Sequence, residues 1–170
     1  MFPLGCDVRR DNAEHQVTKT AQAVGDLREI AMKGNVAAQM ELGTRYIEGK
    51  GVSADPSEAF RWFRMAADNG ETEAENQVGL MYAEGNGVVK DKTQAMNWFQ
   101  AAADKGLAKA QFNLGFMYQS SIPLIVDHSS LQEAQHAYAN AKAWYQKAIN
   151  QGHQEAVYNL QVLEKQMHGP

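Results

Sequence analysis

"AQMELGTRYIEGKGVSADPSEAFRWFRMAADNG", Ala38 to Gly70, decides the fold because the chain writes it a second time. Laid over "AENQVGLMYAEGNGVVKDKTQAMNWFQAAADKG", Ala74 to Gly106, it aligns without a gap. Ala38, Gly43, Tyr46, Gly49, Gly51, Val52, Asp55, Ala59, Trp62 and Gly70 meet Ala74, Gly79, Tyr82, Gly85, Gly87, Val88, Asp91, Ala95, Trp98 and Gly106, each 36 residues on. A fixed period of this size marks a repeat architecture, in which each unit buries its apolar face against its neighbours. The repetition also settles how "EGNGVVKD", Glu84 to Asp91, is read. A phosphate loop needs a strand before it and a helix N-terminus aimed at the anion, and this Gly-x-Gly recurs instead as "EGKGVSAD", Glu48 to Asp55, between two helical patterns.

A third copy begins at "AQFNLGFMY", Ala110 to Tyr118, and closes with "AKAWYQKAINQG", Ala141 to Gly152. Partial copies flank the three. "AVGDLREIAMKG", ending at Gly34, resembles a second half-unit, and "AVYNLQVLEKQ", from Ala156, a first half-unit. The expected organisation is a tail over 1–11, a capping half-repeat over 12–34, repeats over 35–70, 71–106 and 107–152, and a capping helix over 153–170.

Each unit reads as two helices. Ala38, Leu42 and Tyr46 fall on one face of the first. Asp55 and Pro56 supply an N-cap and a first-position proline for the second, which runs toward Gly70 and buries Ala59, Trp62 or Phe63, and Ala66. Gly43, Gly79 and Gly115 sit in mid-helix at about 1 kcal/mol relative to alanine, a cost that close approach of the partner helix would offset. The third unit departs from the others. Its inter-helix loop has lost both glycines, and ten extra residues follow Asp127, so "HSSLQEAQHAYANAKAWYQKAINQG" reads as one helix about 15 Å longer at its start than its counterparts. Leu131, Ala134, Tyr138 and Ala141 carry an apolar stripe up that extension, and the last helix, through Leu160, Leu163 and Met167, is expected to cover it.

The pattern A-x-x-x-[LV]-G-x-x-Y-x-x-G-x-G-V-x-x-D-x-x-x-A-x-x-W, closing in A-A-x-x-G, resembles the Sel-one-like repeat family, a relative of the tetratricopeptide repeats. The resemblance runs over roughly 23–166. It implies an all-α fold, a right-handed α/α solenoid of three full repeats with flanking half-repeats.

Composition narrows the function. The chain is 170 residues long, 44% hydrophobic and 21% charged, with a formal net charge of −4, so it can bury a core and presents no broad basic field for nucleic acid. Its single cysteine, Cys6, rules out an intrachain disulfide framework. No apolar run reaches the roughly 18 residues of a membrane span. No signal peptide is read in "MFPLGC", which leaves the compartment open: the expectation is periplasm or envelope if the start has been trimmed, and cytoplasm otherwise. A monomer is the expected state.

The usual constellations of catalysis are missing: no H-E-x-x-H, no paired C-x-x-C, no G-x-S-x-G. His128 and His136 stand eight apart on the long helix, too far for one metal without a third ligand. No metal, cofactor or catalytic residue is assigned. Some cysteine-rich relatives of this family are associated with β-lactam binding or hydrolysis, but the disulfide pairs and an S-x-x-K are absent here.

By resemblance to tetratricopeptide repeats, a concave groove is lined by the first helix of each unit. The residues aimed into it are Met40, Glu41 and Thr44, then Asn76, Gln77 and Leu80, then Phe112, Asn113 and Phe116, then Tyr158, Asn159 and Val162. Apolar anchors beside amides suit an extended peptide, with Asn and Gln bonding its backbone. Leu131, Gln135 and Tyr138 on the long helix form a second candidate surface. The expected function is a non-enzymatic module that binds a protein or peptide, as proteins resembling it do in bacterial adaptor and regulatory roles. The alternative is an immunity protein that neutralises a secreted toxin.

Overall fold

The computed structural model describes residues 22–122 and 130–168. Eight helices and no strand occur among them: α1 over 22–32, α2 (Val36–Glu48), α3 (Pro56–Asp68), α4 (Thr72–Glu84), α5 (Lys92–Asp104), α6 (Ala108–Gln119), α7 (Leu131–Asn150) and α8 (Gln154–His168). The expected tail, residues 12–21 of the expected capping half-repeat, and residues 123–129 of the third unit, His128 among them, lie outside the described residues. The chain divides into two compact units, one running to Glu71 and including Asn86–Val88, the other made of Thr72–Gly85 and everything from Val89.

Local chemistry sets the helix ends. Asn35 Oδ1 accepts from the Ala38 amide at 2.9 Å to open α2, and Gly49 closes it in the left-handed region at φ 71°. Asp55 accepts from the amides of Ser57 and Glu58 to cap α3, and Asp91 from that of Gln94 to cap α5. The same two aspartates close the loops behind them, their amides donating to the carbonyls of Tyr46 and Tyr82 at 2.9 and 3.0 Å. The repeated Gly-x-Gly is therefore turn chemistry. Gly87 needs its hydrogen for a second reason: at φ 72°, a Cβ would run into the carbonyl oxygen of Pro56 within the first unit.

In the first unit α2 packs on α3, with Leu42, Tyr46, Ala59 and Ala66 buried. Trp62 and Phe63 are both buried, so neighbouring positions share the inward face. The Arg28 guanidinium of α1 donates to the Tyr46 hydroxyl. In the second unit α4 pairs with α5 and α6 with α7, while α5 also packs on α6 and α7 on α8. Two apolar clusters result. Phe99, Leu114, Met117 and Trp144 anchor one, and Tyr145, Ala156 and Leu163 the other.

The mid-helix glycines are sockets. A Cβ on Gly43 would stand 2.6 Å from the Phe63 ring, and one on Gly79 2.7 Å from the Phe99 ring. On Gly115 it would stand 2.8 Å from the Tyr145 ring and 3.3 Å from the Ala141 carbonyl oxygen. Each ring fills the space a side chain would take on the facing helix, and that contact offsets the helix propensity glycine forfeits.

The long helix is shorter than the sequence suggests. At 20 residues, α7 exceeds the 13 of α3 and α5 by seven, about 10 Å rather than 15 Å, because it opens at Leu131 after Ser130. Ala134, Ala137 and Ala141 are buried, and Tyr138 and Leu160 both pack on the cluster of Tyr145, Ala156 and Leu163, so the stripe is largely covered. Leu131 at its tip is 43% exposed.

Candidate protein-interaction site

In the second unit, first helices and loop ends enclose a cleft of about 610 Å³. Leu80, Ala83 and Glu84 of α4 form one wall, and Phe112, Asn113, Phe116 and Met117 of α6 the other. Phe99 closes the floor, Asn159 of α8 stands at one end, and Lys90 and Lys92 stand at the rim. The size falls within the ~300–1,000 Å³ typical of ligand sites, and the lining is mostly apolar.

Polar side chains hold these walls together. Asn113 Nδ2 donates to Asn76 Oδ1 at 2.9 Å, and Lys109 and Lys105 bridge to Glu73 and Glu75 at 2.9 and 2.7 Å. Asn76 is 2% exposed, so it braces α4 against α6 and offers no side chain to a partner, contrary to its expected place in the groove. At the other end Tyr145 donates to Gln119 Oε1 at 2.6 Å and accepts from Asn159 Nδ2 at 3.5 Å. Burial pushes the Tyr145 hydroxyl up to about 12, only partly opposed by the Asn159 hydrogen bond. Gln119 Nε2 donates to Gln166 Oε1 at 3.2 Å, a further tie between α6 and α8. Hydrogen bonding to Glu164, reinforced by its charge, raises Lys142 above the usual lysine range, and the two bridge at 2.9 Å.

The expected groove residues separate into three kinds. Leu80, Phe112, Asn113, Phe116 and Asn159 come together in the cleft. Phe116 is 52% and Tyr158 69% exposed, whereas Gln77 and Val162 are half-buried. Phe112 is less free than the sequence suggests, since it stacks on His153 with ring centroids 4.6 Å apart and tilts against Tyr145 at 5.9 Å. Met40, Glu41 and Thr44 belong to the first unit, where Glu41 pairs with Arg45 and Thr44 donates to the Met40 carbonyl. Of the second surface, Leu131 and Gln135 are exposed and Tyr138 is half-buried. Beside it Met96, Tyr118, Ser121, Gln132, Glu133, His136 and Ala137 line a shallower hollow of about 520 Å³.

One feature escapes a pattern search built on apolar residues. Gln39, Glu75 and Gln111 recur at the 36-residue period and are all buried. Gln39 and Gln111 donate to the carbonyls of Ala31 and Ala103, eight residues back in each case. Their oxygens accept from Asn69 and Gln151. The period itself is the signal that finds them.

The Sel1 repeat model matches residues 36–71, 72–107, 108–130 and 132–153. The chain belongs to the Sel1 repeat family. Among solved structures, a Sel1 repeat protein from Oxalobacter formigenes is 39% identical with a TM-score of 0.64, over 82% of this chain and 98% of that one. A protective antigen of uropathogenic Escherichia coli with an SLR fold is 34% identical with a TM-score of 0.56, over 84% of this chain and 36% of that one. No curated protein matches the chain significantly. The fold is the all-α helical-hairpin repeat that the sequence pattern implies, and Sel1 repeat proteins are generally protein-interaction scaffolds, typically without enzymatic activity.

Proposed function

We propose that this Sel1 repeat protein is an adaptor that holds a segment of a partner protein in the α4–α6–α8 cleft of its second unit. The observation that carries the reading is the pair Phe116 and Tyr158. Both are large aromatic side chains left in solvent, Phe116 in the cleft lining and Tyr158 next in sequence to the lining residue Asn159, and neither belongs to the two apolar clusters of this unit. Aromatic side chains with this placement supply contact area at low conformational cost when a partner covers them.

The test is affinity capture with the wild-type chain and with Phe116→Ser combined with Tyr158→Ser, checked by circular dichroism for an unchanged helical signal. Loss of several related partners with the variant is the expected result. Loss of one secreted enzyme, whose activity the wild-type chain blocks, would replace the adaptor by a neutralising protein. Identical captures would move the site to Leu131, Gln135 and Tyr138.

A further inference from the structure

Resting on that reading of the cleft, we propose that its occupant is a peptide segment in which a large apolar side chain is flanked by aspartate or glutamate. The apolar half of the requirement comes from Leu80, Phe99, Phe116 and Met117, which offer a bulky side chain dispersion contacts and removal from water. The acidic half comes from the rim. Lys90 and Lys92 are both exposed, and neither pairs with a carboxylate among the described residues; Lys92 Nζ lies 2.8 Å from the neutral Ser121 hydroxyl.

Four of the five other lysines of the same unit are differently placed. Lys105, Lys109 and Lys142 are each committed to a glutamate, and Lys147 lies over the Trp144 ring at 3.6 Å. Opposing the two rim lysines in the cleft lining is one acid, Glu84, and the α6 wall from Ala108 to Gln119 contains no aspartate or glutamate. Among the lining residues an anion therefore meets two cations and one carboxylate, while Asp91, between the two lysines, lies outside the lining and accepts from the Gln94 amide as the cap of α5. The net charge of −4 does not reverse this, because charges beyond about 8 Å are largely screened at physiological ionic strength. Asn113 completes the site: its Nδ2 is engaged by Asn76, which leaves its carbonyl oxygen to accept an amide of the bound segment.

A displayed library of random peptides, selected on the full chain at 0.15 M salt, tests the proposal. Enriched sequences are expected to carry Phe, Trp, Leu or Met with Asp or Glu within three positions. The strongest peptide should weaken about tenfold on K90E combined with K92E. Lys50→Glu, an exposed change in the first unit, should leave it unaffected. Peptides without an acidic bias, or with affinity indifferent to K90E/K92E, would overturn the inference, and the cleft would still stand if Phe116→Ser weakened them. No enrichment, or binding indifferent to Phe116→Ser, would overturn both. A single-stranded DNA oligonucleotide bound more tightly than any peptide, through the same lysines, would overturn the peptide assignment.

Discussion

The α4–α5 and α6–α7 hairpins are built on one lock and put it to different uses. In both, a mid-helix glycine receives an aromatic ring from the second helix: Phe99 on Gly79 and Tyr145 on Gly115. Phe99 ends in the apolar cluster, whereas Tyr145 carries a hydroxyl that bonds Gln119 and reaches Asn159 of α8. One oxygen atom thus makes the last ring of the series a tie to the terminal helix. The sockets differ as well, since the three atoms nearest an added methyl at Gly79 all belong to the ring, while at Gly115 the third is the backbone carbonyl oxygen of Ala141. A repeat can therefore keep its packing geometry and still acquire a new role at its end.

The sharpest break of this comparison is Gly115→Ala. A ring can swing aside but a helix backbone cannot do so cheaply, so the substitution should cost about 3 kcal/mol in urea unfolding, and Tyr145→Leu should not restore it. Phe112→Ala should cost about 2 to 3 kcal/mol, because that ring stacks on His153 and tilts against Tyr145. The size of that loss is the reason Phe116 and Tyr158 are the cleaner probes of binding. Gly79→Ala should cost about 1 to 2 kcal/mol after its gain in helix propensity, and adding Phe99→Leu should recover most of it. Equal penalties at Gly79 and Gly115, both relieved by trimming the ring, would erase the difference between the hairpins.

The smallest effect belongs to Tyr145→Phe, about 1 kcal/mol at neutral pH for the lost hydroxyl. Its pH signature is more telling. The folded tyrosine titrates near 12 and the unfolded one near its ordinary value of 10, so the native state retains the proton longer. Stability is therefore full below pH 10 and declines as pH rises from 10 to 12. Thermal melts across that window should show a steeper decline for wild type than for the phenylalanine variant, and parallel curves would mean the hydroxyl is not desolvated.

Much of the fold was legible because repetition multiplies weak signals. One Gly-x-Gly is ambiguous, but the same loop 36 residues apart with a capping aspartate after it is not. Gly43, Gly79 and Gly115 announced a close helix approach by their regular cost. The candidate site was less legible. Leu80, Phe112, Asn113, Phe116 and Asn159 do meet, yet Asn76 turned inward to Asn113, and Phe112 proved to be shared between cleft and core. Helical periodicity says which face a side chain occupies but not whether a neighbour already satisfies it. The rim lysines were passed over for a similar reason: Lys90 and Lys92 sit outside the repeated positions and acquire meaning only beside α6.

By itself the sequence determined the paired helices, their caps, the 36-residue period and the inward-facing residues, since these depend on backbone propensity and on spacing along one chain. Tertiary structure alone decided which polar groups are spent on each other, how far the long helix extends, and where an apolar cleft remains open beside two lysines that pair with no carboxylate among the described residues. Those outcomes depend on distances between segments 30 and more residues apart, as between Glu75 and Lys105 or Asn76 and Asn113, and a pattern of residue types does not contain such distances.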